Sequence, residues 1–401
     1  MSALSGLSAE SRLLLLLTRR ELTPDAHARC RCLLEGDIVW PTLIALARTH
    51  DVLPLVALRL QALATPTVPA EAQAELTVHS RLNAVRSALL AGELGEVLRL
   101  LGNAGMPVIP LKGPVLAQSL YGDISARVCS DLDILIPRDA VARAYRLLTG
   151  AGYEPGAVGP IAPEEFPLLL KSNMEYPFVR RRGGFTHVLE VHWDITWRWP
   201  GQPAAIADLW AERRSFSFEG THAFALSPEW ELLYLVVHAA RHRWQELKWL
   251  TDIHEICRAG SLDWRAVVDK ARRFGWERPL VLTLNAAHAL LDTPIPAQFR
   301  VARLPPWLRL LPAQPRGPRV SDVLVMTRLF PGVRAKARYL STMLLAPTLA
   351  DHRLCRLPRG LGVLYSLLRP ARLVVKWAWL VLRATAGWLG ARGRTRAQVT
   401  S

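Results

Sequence analysis

Apolar residues in the first hundred positions recur at spacings of three and four, the period of an amphipathic helix. The pattern runs through residues 40–59 and 71–101, with a proline-rich break at 65–69 between them. The leucine run at 13–17 follows Ser8, a good helix-capping residue, and no small-residue cleavage site comes after it. It therefore indicates a buried helical stripe rather than a signal peptide, and we predict a helical region over residues 1–102.

Short apolar runs replace the helical period after residue 105. The first of them, residues 108–111, is bounded by prolines and has the length of a buried strand. Lys112 and Gly113 follow, and Pro114 stands at the first position of the next predicted helix. Because the N-terminus of a helix exposes backbone N–H groups, this turn is a candidate site for binding phosphate oxygens.

A second apolar run carries acidic residues at its start. Asp131, Leu132 and Asp133 precede the apolar residues 134–136. In a strand, alternation places both carboxylates on one face and the leucine on the other. Two acids held this close repel each other. A divalent cation between them would remove the repulsion, and Mg²⁺ is the natural candidate because it prefers a few carboxylates together with phosphate oxygens.

Residues 174–181 and 186–191 predict two more strands, joined at an Arg-Gly-Gly turn typical of a hairpin. Glu190 lies between two apolar residues of the second strand, as Asp133 does in its own. If these strands are neighbours, Glu190 supplies a third carboxylate to the same metal site.

Helical periodicity returns after residue 203 and is strongest over residues 230–258. His238 and His242 are four residues apart and share one helix face, with arginines beside them. The pair could bind zinc, although no glutamate occupies the HExxH position. A helix that lines a phosphate-binding pocket and simple packing are the other two interpretations.

The last hundred residues begin with a connector rich in proline and arginine and end in a basic segment that contains tryptophan. The apolar stretch 373–389 is interrupted by Lys376 and Arg383, which argues against a transmembrane helix. An amphipathic helix on an anionic membrane surface is one interpretation, and docking onto the N-terminal helices is the other.

Composition narrows the class of partner. The chain has 401 residues, half of them hydrophobic, so it can fold into two or three domains with a sizeable core. Its net charge of +16 indicates polyanionic partners, which are nucleotides, nucleic acid or an anionic membrane surface. The five cysteines are scattered and odd in number, so neither a disulfide-linked partner nor a cysteine zinc site is indicated. We expect a cytoplasmic protein, with peripheral membrane attachment as an option.

Several short motifs, taken in order, resemble the bacterial uncharacterised nucleotidyltransferase family of the polymerase-beta-like superfamily. They are Leu111-Lys112-Gly113, Leu120-Tyr121, Arg127, the run from Ser130 to Ile136, Gly152-Tyr153, and Glu190-Val191-His192-Trp193, followed by a helical segment with His238, His242, Trp249 and Asp252. The resemblance covers about residues 20–300. The wider superfamily usually has Gly-Ser at the turn where this chain has Lys112-Gly113.

The resemblance implies an α+β fold with a nucleotidyltransferase-like mixed β-sheet and flanking helices, between N-terminal and C-terminal helical regions. The implied domains are the core at 103–200, a helical domain at 201–300 and the connector with its basic tail at 301–401. It also implies Mg²⁺, in two ions, and transfer of a nucleoside monophosphate from an NTP. The predicted metal-binding and catalytic residues are Asp131, Asp133 and Glu190, and the predicted nucleotide-binding residues are Lys112, Gly113, Arg127, Ser130, His238 and His242.

The acceptor stays open, since a small molecule, a sugar, a peptide, a protein or an RNA end would each suit this chemistry. A catalytically idle nucleotide-binding or partner-binding module, antitoxin-like or accessory to a biosynthetic complex, is an alternative function. A polynucleotide-end-modifying enzyme is another, favoured by the charge but without a recognisable RNA-binding motif. Neither a P-loop nor a GxGxxG motif is present in the sequence.

Overall fold

The computed structural model describes residues 6–63, 67–196, 205–305, 320–358, 361–375 and 378. The chain divides into two units. The first contains Met1–Pro160, Glu175–Thr196 and Gly201–Pro331, and the second contains Ile161–Met174, Trp197–Pro200 and Gly332–Ser401. Every residue of the candidate site described below belongs to the first unit.

The N-terminal region is helical, as its apolar period predicted. Its helices are α1 (Ala9–Leu17), α2 (Pro24–Leu34), α3 (Trp40–Thr49), α4 (Leu53–Leu63) and α5 (Ala70–Asn103). The hydroxyl of Ser8 accepts a hydrogen bond from the backbone N–H of Ser11 at 3.2 Å and so caps α1. All five leucines at 13–17 are buried, which confirms the predicted buried stripe.

A five-stranded mixed sheet follows, with the strand order β1-β2-β5-β4-β3. Its strands are β1 (Ile109–Pro110), β2 (Leu132–Leu135), β3 (Glu154–Pro155), β4 (Glu175–Arg182) and β5 (Phe185–His192). β2 and β5 run parallel, and the other neighbouring pairs are antiparallel. β2 lies inside the sheet and all four of its residues are buried. The strand 134–136, the hairpin and the adjacency of its second strand to β2 were all predicted from the sequence.

The elements between the strands are α6 (Pro114–Tyr121), α7 (Val141–Gly150) and α8 (Phe166–Ser172). The turn that joins β4 to β5 consists of Gly183 and Gly184, with φ of +56° and +76°. Both values lie in the left-handed region that a tight hairpin turn requires and that glycine adopts without a steric cost.

A second hairpin lies where the sequence predicted only helix. After α9 (Ala205–Ala211), strands β6 (Arg214–Phe218) and β7 (Thr221–Ala225) pair antiparallel. Glu219 and Gly220 form their turn, with φ of +48° and +70°. The backbone N–H of Phe224 donates to the carbonyl of Val108 at 2.9 Å, so β7 lies against the start of β1. The helical expectation for this stretch was wrong, because two strands of five residues each give only a short two-residue period between helical stretches.

The described residues that follow β7 in the first unit form the helices α10 (Pro228–Arg241), α11 (Leu247–Arg258), α12 (Trp264–Phe274), α13 (Glu277–Leu291) and α14 (Val320–Leu329). The strongly periodic stretch 230–258 is therefore two helices. Arg243 and Trp244, between them, have φ of +60° and +51°. The break turns Trp244 into the interior, where its indole N–H donates to the hydroxyl of Thr283 at 2.8 Å.

The second unit contains α15 (Gly332–Leu345) and α16 (Leu349–Leu354) beside α8. Asp351 is 2% exposed and forms ion pairs with Arg369 and Arg372. Burial alone would raise the pKa of Asp351, but hydrogen bonds from Thr348 and the two arginines lower it to about 2.

The predicted fold class, a mixed sheet with flanking helices, is confirmed, while the division into four domains remains a prediction. The predicted amphipathic segment 373–389 lies outside the described residues, except for 373–375 and 378. In the part of the chain that the structure describes, no helix is both long enough and apolar enough to cross a membrane.

Candidate active site on strands β2 and β5

The parallel pairing of β2 and β5 brings acidic side chains together. Asp133 is the register partner of Glu190. His192 follows two residues later in β5 and therefore points to the same face as Glu190. Each of the three offers one potential metal-ligand atom, and these atoms lie within 4.8 Å of one another. The sequence assigned Asp133 and Glu190 to the metal and gave no role to His192.

Asp131 has a different position from Asp133. It lies one residue before β2 and is half-buried, whereas Asp133 is 3% exposed. Its Oδ1 accepts a hydrogen bond from the hydroxyl of Ser130 at 3.0 Å. Asp131 is not a member of the three-residue cluster, although its charge still reaches the site. Burial, then the charges of Asp133, Glu175 and Asp131, raise the pKa of the Tyr234 phenol on α10.

Both oxygens of the Asp133 carboxylate face a cationic group. The Lys112 ammonium lies 3.1 Å from Oδ2, and the Nε2 of His192 lies 3.1 Å from Oδ1. Burial alone would raise the pKa of Asp133, but the charge of Lys112, followed by the hydrogen bond and charge of His192, holds it well below its usual range. Asp133 is therefore ionised, with a positive group at each of its oxygens. The attraction to these two groups outweighs the repulsion between the Asp133 and Asp131 carboxylates.

His192 sits among three carboxylates. Its Nε2 is 3.6 Å from Oε2 of Glu190, and its Nδ1 is 3.3 Å from Oε2 of Glu175 on β4. Burial alone would lower the pKa of this imidazole. Hydrogen bonding to Asp133 and Glu190, with the charges of Asp133 and Glu175, raises it instead to about 9. In the metal-free protein His192 is therefore a second cation of the site at neutral pH.

The side chains present fit a divalent cation. Two carboxylates and an imidazole are ordinary ligands for such ions, and carboxylates are the type that Mg²⁺ prefers. Oδ2 of Asp133 is buried and lies 3.1 Å from the Lys112 ammonium, but among the described residues it accepts no well-aligned hydrogen bond. A buried carboxylate oxygen without a well-aligned donor is a group that a metal ion could satisfy in place of the ammonium. Asp131, two residues before Asp133, is the predicted ligand that lies outside the three-residue cluster.

Lys112 and Gly113 lie at the start of α6, as the sequence predicted. Gly113 has φ of +75° and ψ of −144°, a conformation that is strained for any residue with a Cβ atom. This backbone places Lys112 beside Asp133 while Pro114 begins the helix. The same turn leaves the first N–H groups of α6 pointing out of the helix, where an anion can accept from them.

His238 and His242 form one aromatic group with Trp249. The two imidazole centroids are 4.6 Å apart, and they lie 5.4 Å and 5.1 Å from the indole ring. Burial lowers the pKa of His242 to about 3 and that of His238 well below its usual range. The charge of Lys112 contributes to both shifts, so the neutral pair lies close to Lys112. Neither imidazole belongs to the cluster of potential metal ligands found among the described residues.

Arg127, a predicted nucleotide-binding residue, is paired inside the protein. Its Nε donates to both carboxylate oxygens of Asp252 on α11, at 3.2 Å and 3.0 Å. The hydroxyl of Tyr121 donates to Oδ1 of the same carboxylate at 2.8 Å. The Arg127 and Asp252 side chains are 5% and 0% exposed. This network ties the turn that precedes β2 to α11 and so fixes where the strand begins.

Sequence reasoning missed His192, Glu175 and the role of Asp252. The signal for His192 was available, because a residue two positions after Glu190 in a strand must share its face. Glu175 was less accessible, since its contact with His192 depends on the register of the β4–β5 hairpin. Arg241 lies 3.7 Å from Glu175 and closes this side of the site.

The family model described as uncharacterised nucleotidyltransferase matches residues 36–292, which is more than half of the chain. Among solved structures, the chain is similar to an antigenic nucleotidyltransferase-like protein from Paracoccidioides brasiliensis, with 15% sequence identity, 52% of this chain and 93% of that chain covered, and a TM-score of 0.31. A TM-score this low carries no argument about fold or function. No curated protein matches the chain.

Proposed function

Because the chain belongs to the uncharacterised nucleotidyltransferase family, we propose that it is a Mg²⁺-dependent enzyme that transfers a nucleoside monophosphate from an NTP to an acceptor. One observation carries the proposal. Asp133 and Glu190 are register partners on adjacent parallel strands and lie side by side, next to a lysine at the start of a helix. Carboxylates, a lysine and a helix N-terminus are together what a metal–triphosphate complex requires.

Asp133 and Glu190 are the residues that would hold the cation, with Asp131 completing the shell. His192, a cation in the metal-free protein, would join them only after giving up its proton. Bound there, Mg²⁺ would supply positive charge to the reacting phosphate and orient it for displacement. Lys112 and the backbone N–H groups of Val115 and Leu116, the first donors of α6 because Pro114 has none, would bind the triphosphate oxygens. Ser130 keeps the Asp131 carboxylate oriented through its 3.0 Å hydrogen bond.

In the proposed reaction an oxygen of the acceptor attacks the α-phosphorus of the NTP. A new oxygen–phosphorus bond forms, the bond between the α-phosphorus and the bridging oxygen breaks, and pyrophosphate leaves. The acceptor proton passes to a carboxylate, for which Glu190 is the best placed because its side chain is 29% exposed while that of Asp133 is 2% exposed. The residues on β2 and β5 act by alignment and charge, which are the main sources of rate enhancement in phosphate transfer.

A pair of histidines lies at the C-terminal end of α10. His238 and His242 are neutral at pH 7, so they can donate and accept hydrogen bonds with a nucleotide without adding charge. The Trp249 ring is buried against both imidazoles and holds them in position. In this proposal Arg127 acts through Asp252, by fixing the turn before β2, rather than by touching the nucleotide.

The test uses each of the four NTPs labelled at the α-phosphate, incubated with Mg²⁺, cell extract and purified protein. We expect wild type to label a component of the extract, and Glu190→Gln to lose that labelling by at least a hundredfold. Glu154→Gln is the matched control, since Glu154 is an exposed acid paired with Arg181 on the same sheet. Equal labelling by wild type and Glu190→Gln would contradict the proposed site.

A second candidate function is a catalytically idle nucleotide-binding module. The observation in its favour is that Lys112 and His192 already neutralise Asp133. The two functions differ in outcome: an idle module binds NTP with measurable affinity and labels nothing, whereas an enzyme does both.

A further inference from the structure

The cation next to Asp133 is supplied by the protein itself. Lys112 contacts Oδ2 and His192 contacts Oδ1, so the atoms that would bind a metal ion each have a positive partner already. A metal ion of the proposed function cannot reach Oδ2 while the ammonium lies 3.1 Å away. One of the two protein cations must move first.

The two cations differ in how they are held. His192 extends from β5 and contacts Glu175 and Glu190 as well as Asp133. In the described residues, the ion pair of Lys112 is with Asp133 alone. Lysine also carries its charge on a flexible four-carbon stem. Lys112 is therefore the cation that exchanges, and the start of α6 next to it is where phosphate oxygens would lie.

We propose that Lys112 occupies the place of the metal ion until an NTP binds. Its ammonium then moves to the triphosphate, and Asp133 accepts the divalent cation in exchange. This inference rests on the proposed function and adds an order of events to it. Metal binding without nucleotide must be weak, because it would leave an ammonium unpaired in a mostly buried position, 12% exposed. Binding of either ligand strengthens binding of the other by the same factor.

Coupling alone is not a sufficient test, since NTPs chelate divalent cations in solution. The sharper consequence concerns metal binding with no nucleotide present. Removing the ammonium should make the site bind a divalent cation more tightly, which is the opposite of the result for an ordinary phosphate-binding lysine. A lysine that contacted only phosphate, away from the metal-ligand oxygens, would change metal affinity little when it is substituted.

The experiment is a titration with Mn²⁺ alone, in which free Mn²⁺ is counted by its electron paramagnetic resonance signal. We expect Lys112→Met to bind Mn²⁺ at least tenfold more tightly than wild type, and Lys112→Arg to stay as weak as wild type. Lys270→Met is the control for loss of one positive charge, because Lys270 pairs with Glu212 elsewhere in the unit. Adding Asp133→Asn to Lys112→Met should abolish the gain. Equal Mn²⁺ affinity in Lys112→Met and wild type overturns the proposal.

Binding of each NTP in EDTA separates this inference from the proposed function. We expect wild type to bind an NTP at least tenfold more tightly than Lys112→Met does. If wild type binds and transfers nucleotide but the Mn²⁺ gain is missing, the exchange fails and the enzyme stands. If the gain is present but no NTP binds to wild type, the trigger is wrong and the proposed function fails with it. Circular dichroism of Lys112→Arg and Lys112→Met confirms that both are folded.

Discussion

The buried pair of Arg127 and Asp252 gives the most exacting test of how the site is built. Asp252→Asn keeps the volume of the side chain and one acceptor oxygen, and removes only the negative charge. Arg127 would then be a buried guanidinium without a counter-charge, because Asp252 is 0% exposed and Arg127 is 5% exposed. Breaking a buried pair in this way costs about 3–5 kcal/mol, whereas an exposed pair is worth about 0–1 kcal/mol.

Urea unfolding followed by tryptophan fluorescence measures the effect. With a denaturant slope of about 1–3 kcal/mol per M, a loss of 3 kcal/mol lowers the midpoint by about 1 M or more. Asp269→Asn is the matched control, since Asp269 pairs with Arg272 at the surface at 3.6 Å. The double variant Arg127→Met with Asp252→Leu removes both charges and should recover most of the loss.

Equal urea midpoints for Asp252→Asn and Asp269→Asn would contradict a stabilising role for the buried pair. Unchanged stability of Asp252→Asn together with weaker NTP binding would contradict it as well. That second result would return Arg127 to the nucleotide-binding role that the sequence predicted, with Asp252 as a passive neighbour.

Three further predictions concern a glycine turn, a buried histidine and the C-terminal segment. Gly113→Ala should destabilise the protein by about 1–3 kcal/mol, because Gly113 has a φ of +75°. Gly92→Ala, in the middle of α5 with open space around it, should stabilise the protein by about 0.5–1 kcal/mol. Equal melting temperatures for the two variants would contradict this. Burial lowers the pKa of His254 to about 3. The contribution of the neutral imidazole to stability is therefore complete above pH 6.5 and is lost as the pH falls toward 3, by up to about 1.4 kcal/mol per pH unit. His254→Gln should show a shallower loss of unfolding free energy between pH 7.5 and 4.5, and a slope equal to that of wild type would contradict this. If residues 373–389 lie on a membrane, the full-length protein should sediment with anionic vesicles at low salt and not with neutral vesicles. Each cation near the surface would contribute about 1 kcal/mol to the binding free energy. Equal sedimentation with both kinds of vesicle would contradict that hypothesis.

The sequence predicted the sheet around the site because its strands have clear signals. The short run 134–136, the alternation around Asp133 and the glycine turn of the hairpin each follow from local geometry. The pairing of Asp133 with Glu190 was inferred from two similar acidic positions, and the register confirms that they are neighbours.

What the sequence could not supply was the balance of charge. The environment of Asp133 depends on Lys112, twenty-one residues earlier, and on His192, fifty-nine residues later, and such contacts are set only by the tertiary fold. The same holds for Arg127, whose partner Asp252 lies on α11. A lone arginine near a predicted phosphate site has the same local sequence whether it binds a ligand or a buried carboxylate. The β6–β7 hairpin was missed for a different reason, because its strands have five residues each and lie between helical stretches.

The measurement that tests nucleotidyl transfer most directly is the fate of the label at two positions of the same NTP. Wild-type protein is incubated with Mg²⁺, extract and an NTP labelled at either the α- or the γ-phosphate. Transfer of a nucleoside monophosphate predicts that the α-label becomes attached to the acceptor and that the γ-label is released as pyrophosphate. Attachment of the γ-label, or release of both labels without any attachment, would contradict nucleotidyl transfer at Asp133 and Glu190.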